Sequence, residues 1–253
     1  MNVDPRAATG FANVRAYERA RPSYPVEALN HLARQLGLTR ESAVLDLAAG
    51  TGKLTRQLQP LAGHVVAVEP SDAMLAELRA QAPEVEARRG TAEAIPCQDD
   101  SIDAVFVGQA FHWFRAAQAG REIARVLRPG GGLALLWNRA EWKQAEAPWL
   151  ERFKALTAPY REAAGAFPGD EGRWEAALEE LELFAPVART EVEHVHRIAS
   201  DDIPTLVSSW SWIENLPDEE RAGVLRRVGE LVGAGRRLAL SYRTEVYWTR
   251  KLA

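Results

Sequence analysis

The first 138 residues contain short, continuous apolar runs that are separated by longer segments of mixed polarity. The runs lie at 43–47, 64–69, 102–107 and 133–137, and the more polar segment 85–89 is a candidate third strand. An apolar run of this length without alternation is typical of a strand that is buried on both faces, as in a parallel sheet. The pattern therefore predicts five strands in this part of the chain.

The segments between these runs have apolar residues at helical spacing. A first helix is predicted to end at Gly37, and Ser71 is the predicted N-cap of the helix after the second strand. A later helix is predicted to contain Ile123 and Leu127 and to end at Arg128. Because helices that alternate with buried strands must cover both faces of the sheet, the pattern predicts a doubly wound, Rossmann-like α/β fold with a mostly parallel sheet.

The second half of the chain has a different pattern. Residues 140–183 and 201–234 are predicted to be helical, and strands are predicted at 190–198 and 238–248. We expect the first helical segment to be interrupted at three prolines, Pro148, Pro159 and Pro168. The two added strands complete a seven-stranded sheet.

These elements predict one domain over residues 1–253. Its core would span about 26–138, helical cap segments about 140–188 and 200–236, and a closing strand about 238–250. All eight tryptophans lie at position 113 or later. Large rings commonly fill gaps between packed helices, and the alternative for the group is an aromatic-lined substrate cap.

Residues 46–52 read Asp-Leu-Ala-Ala-Gly-Thr-Gly and join the first strand to a helix. Small residues in such a turn let the backbone pass close to a ligand, and Gly50 and Gly52 can take backbone angles that are closed to other residues. The helix that starts near Lys53 presents N–H groups to such a ligand. Glu69 ends the next strand, where an acid accepts the ribose hydroxyls of an adenosine.

The glycine spacing excludes the dinucleotide fingerprint G-x-G-x-x-G. If Gly50 is the first glycine, the third position is Thr55; a frame that begins at Ala48 places Lys53 there. An acid at the start of the turn, Asp46, suits a cofactor with a cationic amino-acid end. The turn therefore disfavours a nicotinamide-dependent dehydrogenase.

Residues 44–138 resemble the class I S-adenosylmethionine-dependent methyltransferases. The resemblance is to the small-molecule group that includes the ubiquinone/menaquinone and trans-aconitate methyltransferases. Residues 44–55 resemble the glycine-rich motif I, and 65–71 resemble the strand with the ribose-binding acid. Residues 90–96 resemble the adenine segment, and 127–132 resemble the loop before the fifth strand.

The resemblance implies S-adenosylmethionine as the cofactor. By resemblance, the methionine part of the cofactor would contact Asp46, Ala48, Gly50 and Gly52. The ribose would contact Glu69, and the adenine would contact Thr91 and Ala92. Many relatives have glycine at the position of Ala48 and aspartate at the position of Thr91. The second difference would weaken recognition of the adenine amino group.

The implied reaction is transfer of the sulfonium methyl group to a small-molecule acceptor by in-line displacement, releasing S-adenosylhomocysteine. It needs positioning and exclusion of water rather than a nucleophilic side chain. A non-catalytic sensor or partner module that binds the same cofactor is the alternative.

Enzymes that methylate base amines use an Asn/Asp-Pro-Pro-aromatic run after the fourth strand. Residues 109–112 read Gln-Ala-Phe-His instead, which disfavours a nucleic-acid acceptor.

Five residues outside the glycine-rich turn are further candidates. His112 follows the fourth strand, whose carboxyl end should border the reacting methyl group. It is predicted to act there as a general base or to orient a carboxylate, with a structural histidine as the alternative. Trp113 offers an aromatic face to a sulfonium. Tyr17, Arg21 and Tyr24 are predicted to form a lid, in which Arg21 would pair with a carboxylate or, alternatively, be a solvated side chain.

Composition narrows the function classes. The 253 residues are 47% hydrophobic and 26% charged, which is typical of a globular enzyme. A net charge of −4 provides no overall attraction for a phosphate backbone. Cys97 is the single cysteine, and His194 and His196 share a strand face without an evident third ligand, so we expect no disulfide and no metal site. No apolar stretch is long enough to span a bilayer, and we expect a cytoplasmic protein; nothing in the pattern indicates an oligomeric state.

Overall fold

The computed structural model describes residues 14–143, 146–164 and 173–252, with only the backbone of 15–17 and 173. The strands are β1 Ala43–Leu47, β2 His64–Glu69, β3 Glu86–Arg89, β4 Ile102–Gly108, β5 Leu127–Ala140, β6 Ala188–Ala199 and β7 Arg237–Arg250. The helices are α1 Val14–Ala20, α2 Val26–Leu36, α3 Lys53–Leu58, α4 Asp72–Gln81, α5 Ala116–Val126, α6 Leu150–Ala164, α7 Arg173–Glu179, α8 Ile203–Ser208, α9 Ser211–Glu214 and α10 Asp218–Val232. Within the described ranges, no helix combines the length and the apolar character needed to cross a membrane.

The seven strands form one sheet in the order β3-β2-β1-β4-β5-β7-β6. The five strands predicted in the first half of the chain pair in parallel, from β3 to β5. In the centre, Leu45 of β1 lies opposite Val66 of β2 on one side and Val105 of β4 on the other. Because β1 and β2 are in register, their carboxyl ends meet at the same edge of the sheet. The predicted seven-stranded, mostly parallel sheet is confirmed.

The chain divides into two compact units. Unit 2 comprises Tyr24–Asn138, Pro168–Val192 and Thr244–Ala253, and its core covers both faces of the sheet. Val44 packs in the apolar cluster on one face and Leu45 in the cluster on the other. This arrangement explains why β1 has no polar alternation up to its carboxyl end.

Unit 1 comprises Met1–Ser23, Arg139–Phe167 and Glu193–Arg243, as far as these segments are described. Its core joins α8 and α10 to the buried face of β7, where alternate residues are buried. Aromatic rings gather around Trp142, whose centroid lies 5.8 Å from those of Trp149, Phe153 and Trp210. The rings pack on one another in this core. Their role as a substrate cap stays a prediction.

Three details of the predicted elements were wrong. The helical segment predicted to begin at residue 140 begins at Leu150, because β5 extends to Ala140. Leu127 was expected in a helix, but the helix ends at Val126 and Leu127 begins β5, where it lies opposite Ile102. Pro159 was expected to interrupt a helix, but it lies inside α6. A proline removes one helical hydrogen bond, and the buried side chains of Phe153 and Thr157 hold α6 in place despite that loss. The third proline, Pro168, lies outside the described residues.

Gly132 provides a test of the packing between β5 and α2. A Cβ at this position would lie 2.4 Å from Cδ2 of Leu36, a buried residue at the end of α2. We expect Gly132→Ala to lower the free energy of unfolding by about 1–3 kcal/mol, because the added methyl group overpacks the core. Leu36→Ala in the same chain should remove part of that loss, as measured by a double-mutant cycle in urea. Gly223→Ala is the control, because a Cβ there meets nothing within 4 Å; equal losses for both alanine variants would contradict the packing argument.

Candidate functional site

The turn after β1 has three residues with left-handed backbone angles. The φ angles of Ala48, Gly50 and Gly52 are +58°, +58° and +82°. Glycine adopts this region freely, whereas an alanine there costs about 1–2 kcal/mol. A Cβ on Gly50 would meet no atom of the described residues within 4 Å, so this part of the chain leaves open space beside Gly50. The turn therefore carries backbone strain at Ala48 and presents a bare backbone at Gly50.

The Glu69 carboxylate fixes this turn to the carboxyl end of β2. Its Oε2 accepts a hydrogen bond of 2.9 Å from the Gly50 N–H, and its Oε1 accepts one of 2.9 Å from the Ser71 N–H. Burial raises the pKa of Glu69, and the two amide donors oppose that shift. Each carboxylate oxygen has a second lone pair, so this acid can accept two further hydrogen bonds.

Asp46 is the second buried acid of the site. Its side chain is 1% exposed, and its Oδ2 accepts a hydrogen bond of 2.6 Å from the Thr55 hydroxyl at the start of α3. Burial raises the pKa of Asp46 to about 7, the Thr55 hydroxyl opposes this shift, and the charge of Glu69 adds to it. The protein thus holds a proton-binding carboxyl group near neutral pH beside a second carboxylate, an arrangement common at functional sites.

The segment after β3 continues from the same edge of the sheet. The Gly90 N–H donates to the Glu69 carbonyl at 3.4 Å, and Thr91 forms a bridge with Ala94. Thr91 and Ala92 are both buried, and the Ala92 methyl group belongs to an apolar core cluster. Ala92 could therefore serve a ligand through its backbone rather than through its side chain.

The carboxyl end of β4 is covered by Tyr24. A Cβ on Gly108 would lie 2.4 Å from the Tyr24 hydroxyl oxygen, so only glycine permits this approach. Gln57 of α3 anchors Tyr24 by accepting a hydrogen bond from its N–H and donating one to its carbonyl. Tyr24 is a core residue with its hydroxyl at the strand end. Gln109 follows with a φ of +59°, a strained conformation for a non-glycine residue.

His112 and Trp113 lie in a short 3₁₀ helix, Phe111–Trp113, directly after this strand end. The Trp137 indole N–H of β5 donates to Nδ1 of His112 at 3.4 Å. A neutral imidazole that accepts at Nδ1 carries its proton at Nε2, so this contact assigns the tautomer. The Trp113 ring lies 4.8 Å from the His112 ring, between centroids.

The other predicted lid residues belong to unit 1. Arg21 donates from Nε to the Ser209 hydroxyl at 2.8 Å and from its terminal nitrogen to the Ser209 carbonyl at 2.5 Å. Tyr17 lies in α1, but its side chain is outside the described residues. The structure thus gives Arg21 partners within unit 1, and the lid stays a prediction.

His194 and His196 of β6 both lie against Tyr242, with ring centroids 5.7 and 5.8 Å away. His196 also contacts the Ala20 carbonyl through Nε2 at 2.9 Å. Within the described part of the chain, no group of three His, Cys, Asp or Glu side chains could hold a metal ion. Both histidines thus take part in the packing of unit 1.

Several residues of this edge were missed by the sequence analysis. Thr55 was considered only as a position that lacks glycine, although a hydroxyl in the first helical turn is a plausible partner for the strand-end acid. Gln109 was read only as part of a missing motif, and its left-handed backbone has no sequence signal. Trp137 was predicted as a strand residue, and its contact with His112 depends on the pairing of β4 and β5.

Comparison with known proteins identifies the family. Residues 45–135 match the family described as a methyltransferase domain. An uncharacterized methyltransferase of Mycobacterium tuberculosis is 40% identical over 228 residues, covering 90% of this chain and 87% of the relative. This identity extends well beyond the segment that carries the glycine-rich turn.

Two solved structures share the fold. A candidate type II methyltransferase from Anaeromyxobacter dehalogenans aligns with a TM-score of 0.62 at 21% identity, covering 92% of this chain and 98% of that one. Phosphoethanolamine N-methyltransferase 2 of Haemonchus contortus, in complex with phosphomonomethylethanolamine and S-adenosylhomocysteine, aligns with a TM-score of 0.58 at 17% identity, covering 99% of this chain and 60% of that one. With the sequence match over nearly the whole M. tuberculosis relative, the fold and the turn identify this chain as a member of the class I methyltransferase family.

Proposed function

We propose that this protein is an S-adenosylmethionine-dependent methyltransferase that methylates a small organic acceptor and releases S-adenosylhomocysteine. The observation that carries the proposal is the pair of buried acids at neighbouring strand ends. Glu69 holds the turn through the Gly50 N–H, and Asp46 lies at the start of the same turn. Two acids beside the bare backbone at Gly50 suit a ligand that has hydroxyl groups and a cationic amino-acid end.

The residues fit this cofactor. The open space beside Gly50 gives room for a ligand against the backbone, and a side chain there would fill it. The two remaining lone pairs of Glu69 suit the two ribose hydroxyls, and Asp46 suits the α-ammonium group. The backbone at Thr91 and Ala92 would contact the adenine. The Haemonchus enzyme of the same fold has S-adenosylhomocysteine in its structure, which supports the choice of cofactor.

The bound cofactor would supply an electrophilic methyl group on a sulfonium. The part of the protein is to orient the acceptor and to exclude water. His112 directs its Nε2–H away from Trp137, so it offers a donor to an acceptor oxygen rather than a lone pair to a proton. Of the two roles predicted for His112, the orienting role therefore suits the structure better than that of general base.

A small organic acceptor is favoured over a nucleic acid. The residues after β4 read Gly-Gln-Ala-Phe-His, without the proline-containing run that binds a flipped base amine. The net charge of −4 also gives no attraction for a polyanion.

Calorimetry with S-adenosylmethionine and S-adenosylhomocysteine tests the proposal, followed by a screen of small acceptors for methyl incorporation. We expect saturable binding of both cofactor forms and turnover of at least one acceptor class. Absence of cofactor binding would contradict the proposal. Binding without methyl transfer across a broad panel of hydroxyl, carboxyl and amine acceptors would instead indicate a sensor.

The affinity for S-adenosylmethionine should depend on pH through Asp46. Below about pH 7, Asp46 holds a proton in the free protein, and binding of a cation requires its release. We expect the dissociation constant to rise roughly ten-fold from pH 7.5 to pH 6, measured by calorimetry in buffers of different ionisation enthalpy. Asp46→Asn should weaken binding at pH 7.5 and flatten this dependence. Asp72→Asn, at an exposed carboxylate of the adjoining helix, should preserve both.

The same carboxyl group should lower the stability of the free protein. Folding raises the pKa of Asp46 from 3.8 to about 7, so its contribution to stability is greatest below pH 4 and is lost as the pH rises to 7. We expect Asp46→Asn to unfold at higher urea concentration than the parent at pH 8, with a gain on the order of 4 kcal/mol that nearly vanishes at pH 4. A loss of stability at pH 8 would show that the carboxylate is better accommodated than its burial indicates.

The two roles predicted for His112 can be separated by substitution. At saturating cofactor, we expect His112→Ala to lower kcat for the acceptor found in the screen by about 10- to 100-fold. His112→Gln should recover part of this loss, because an amide donates a hydrogen bond but cannot take up a proton. A glutamine variant whose kcat is as low as that of the alanine variant would contradict the orienting role.

A further inference from the structure

Strand β6 is the end strand of the sheet and is unusually long for that position. Its 12 residues, Ala188–Ala199, follow β7 in the strand order, and no strand of the described residues pairs with its other side. The sequence Ala-Arg-Thr-Glu-Val-Glu-His-Val-His-Arg-Ile-Ala contains no proline, glycine or lysine. A long edge strand without proline is open to pairing with another strand wherever its charged side chains do not repel that strand.

The two faces of β6 differ in exposure. His194 and His196 lie against Tyr242, whereas Glu193, Val195 and Arg197 alternate with them on the exposed face. Val195 is 52% exposed, and it is one of only four exposed large apolar residues in the described part of the chain. Neither Glu193 nor Arg197 forms an ion pair or side-chain hydrogen bond with another described residue.

The spacing of these three residues is self-complementary. Glu193 and Arg197 are about 13 Å apart along one strand, too far to pair with each other. An antiparallel copy related by a two-fold axis through Val195 would place Glu193 opposite Arg197 of the partner subunit, and this contact would occur twice. The two Val195 side chains would then meet at the centre. Oppositely charged and apolar cross-strand pairs of this kind stabilise antiparallel pairing.

The side chains also favour this register over others that keep the same face. With the axis at His194, Glu191 would face Arg197, but each Val195 would face Glu193 instead of the other Val195. With the axis at Val195, Glu191 faces Ala199, and no like charges lie opposite each other on the exposed face. With the axis at Glu193, this residue would face itself and Arg189 would face Arg197, which is unfavourable. We propose that two copies of this chain associate through antiparallel pairing of β6, centred on Val195, to form a symmetric dimer with one sheet continuous across the axis.

Sedimentation equilibrium or light scattering across micromolar concentrations tests the dimer, without cofactor. We expect a reversible dimer for the parent. Glu193→Arg or Arg197→Glu alone should raise its dissociation constant about ten-fold or more, because each replaces two attractive pairs by two like-charge pairs. The double variant with both changes should restore the dimer, because the pairs re-form with exchanged partners.

Arg189→Glu is the matched control, since Arg189 is exposed on the same strand face but lies outside the paired residues 191–199. It should leave the dissociation constant of the dimer unchanged. A strictly monomeric parent would overturn the proposal. So would a double variant that stays monomeric while its circular dichroism spectrum matches that of the parent, because recovery by charge exchange is the specific expectation of this register.

Discussion

The hydrogen bond from the Gly50 N–H to the Glu69 carboxylate is the interaction on which the site depends. It joins the turn after β1 to the end of β2, and Glu69 also accepts from the Ser71 N–H at the start of α4. For the Gly50 N–H to face this acid, the backbone must pass through left-handed conformations at alternate residues, from Ala48 to Gly52. The register of β1 and β2 brings both strand ends to the same edge, so the parallel sheet is what allows one carboxylate to hold two connections.

This arrangement is unfavourable by itself. Burial raises the pKa of both Asp46 and Glu69, and the charge of Glu69 further opposes ionisation of Asp46. Ala48 adds backbone strain. The apolar clusters on both faces of the sheet offset these costs, since the strands that position the acids are buried beyond their first residues. A site that is destabilising without a ligand is suited to a ligand that supplies the missing positive charge and hydroxyl donors.

A feature could be predicted from the sequence when it depends on residues that are close together in the chain. The strands and the glycine-rich turn were predicted because apolar runs and small residues act within a few positions. Leu127 was assigned wrongly because its strand character comes from pairing with Ile102, 25 residues earlier in the chain. The contact between Trp137 and His112, and that between Tyr24 and Gly108, join separate elements, and no local spacing encodes them. The strand-end acids and the small-residue turn were therefore predictable from the sequence, and the contacts that join separate elements were not.

Strand β6 shows how one alternating sequence can meet two independent requirements. The positions that face Tyr242 are constrained by packing, because a shift of one residue would turn the histidines outward and bury Glu193 and Arg197. The exposed positions of β6 are not under this constraint, and their side chains determine only which strand can pair with this edge of the sheet. Charges on an edge strand ordinarily prevent association, but their effect depends on their order. An order of unlike charges that is symmetric about an exposed valine reverses that effect in the register that also brings the two valines together, so the same residues that deter other strands would favour a second copy of this chain.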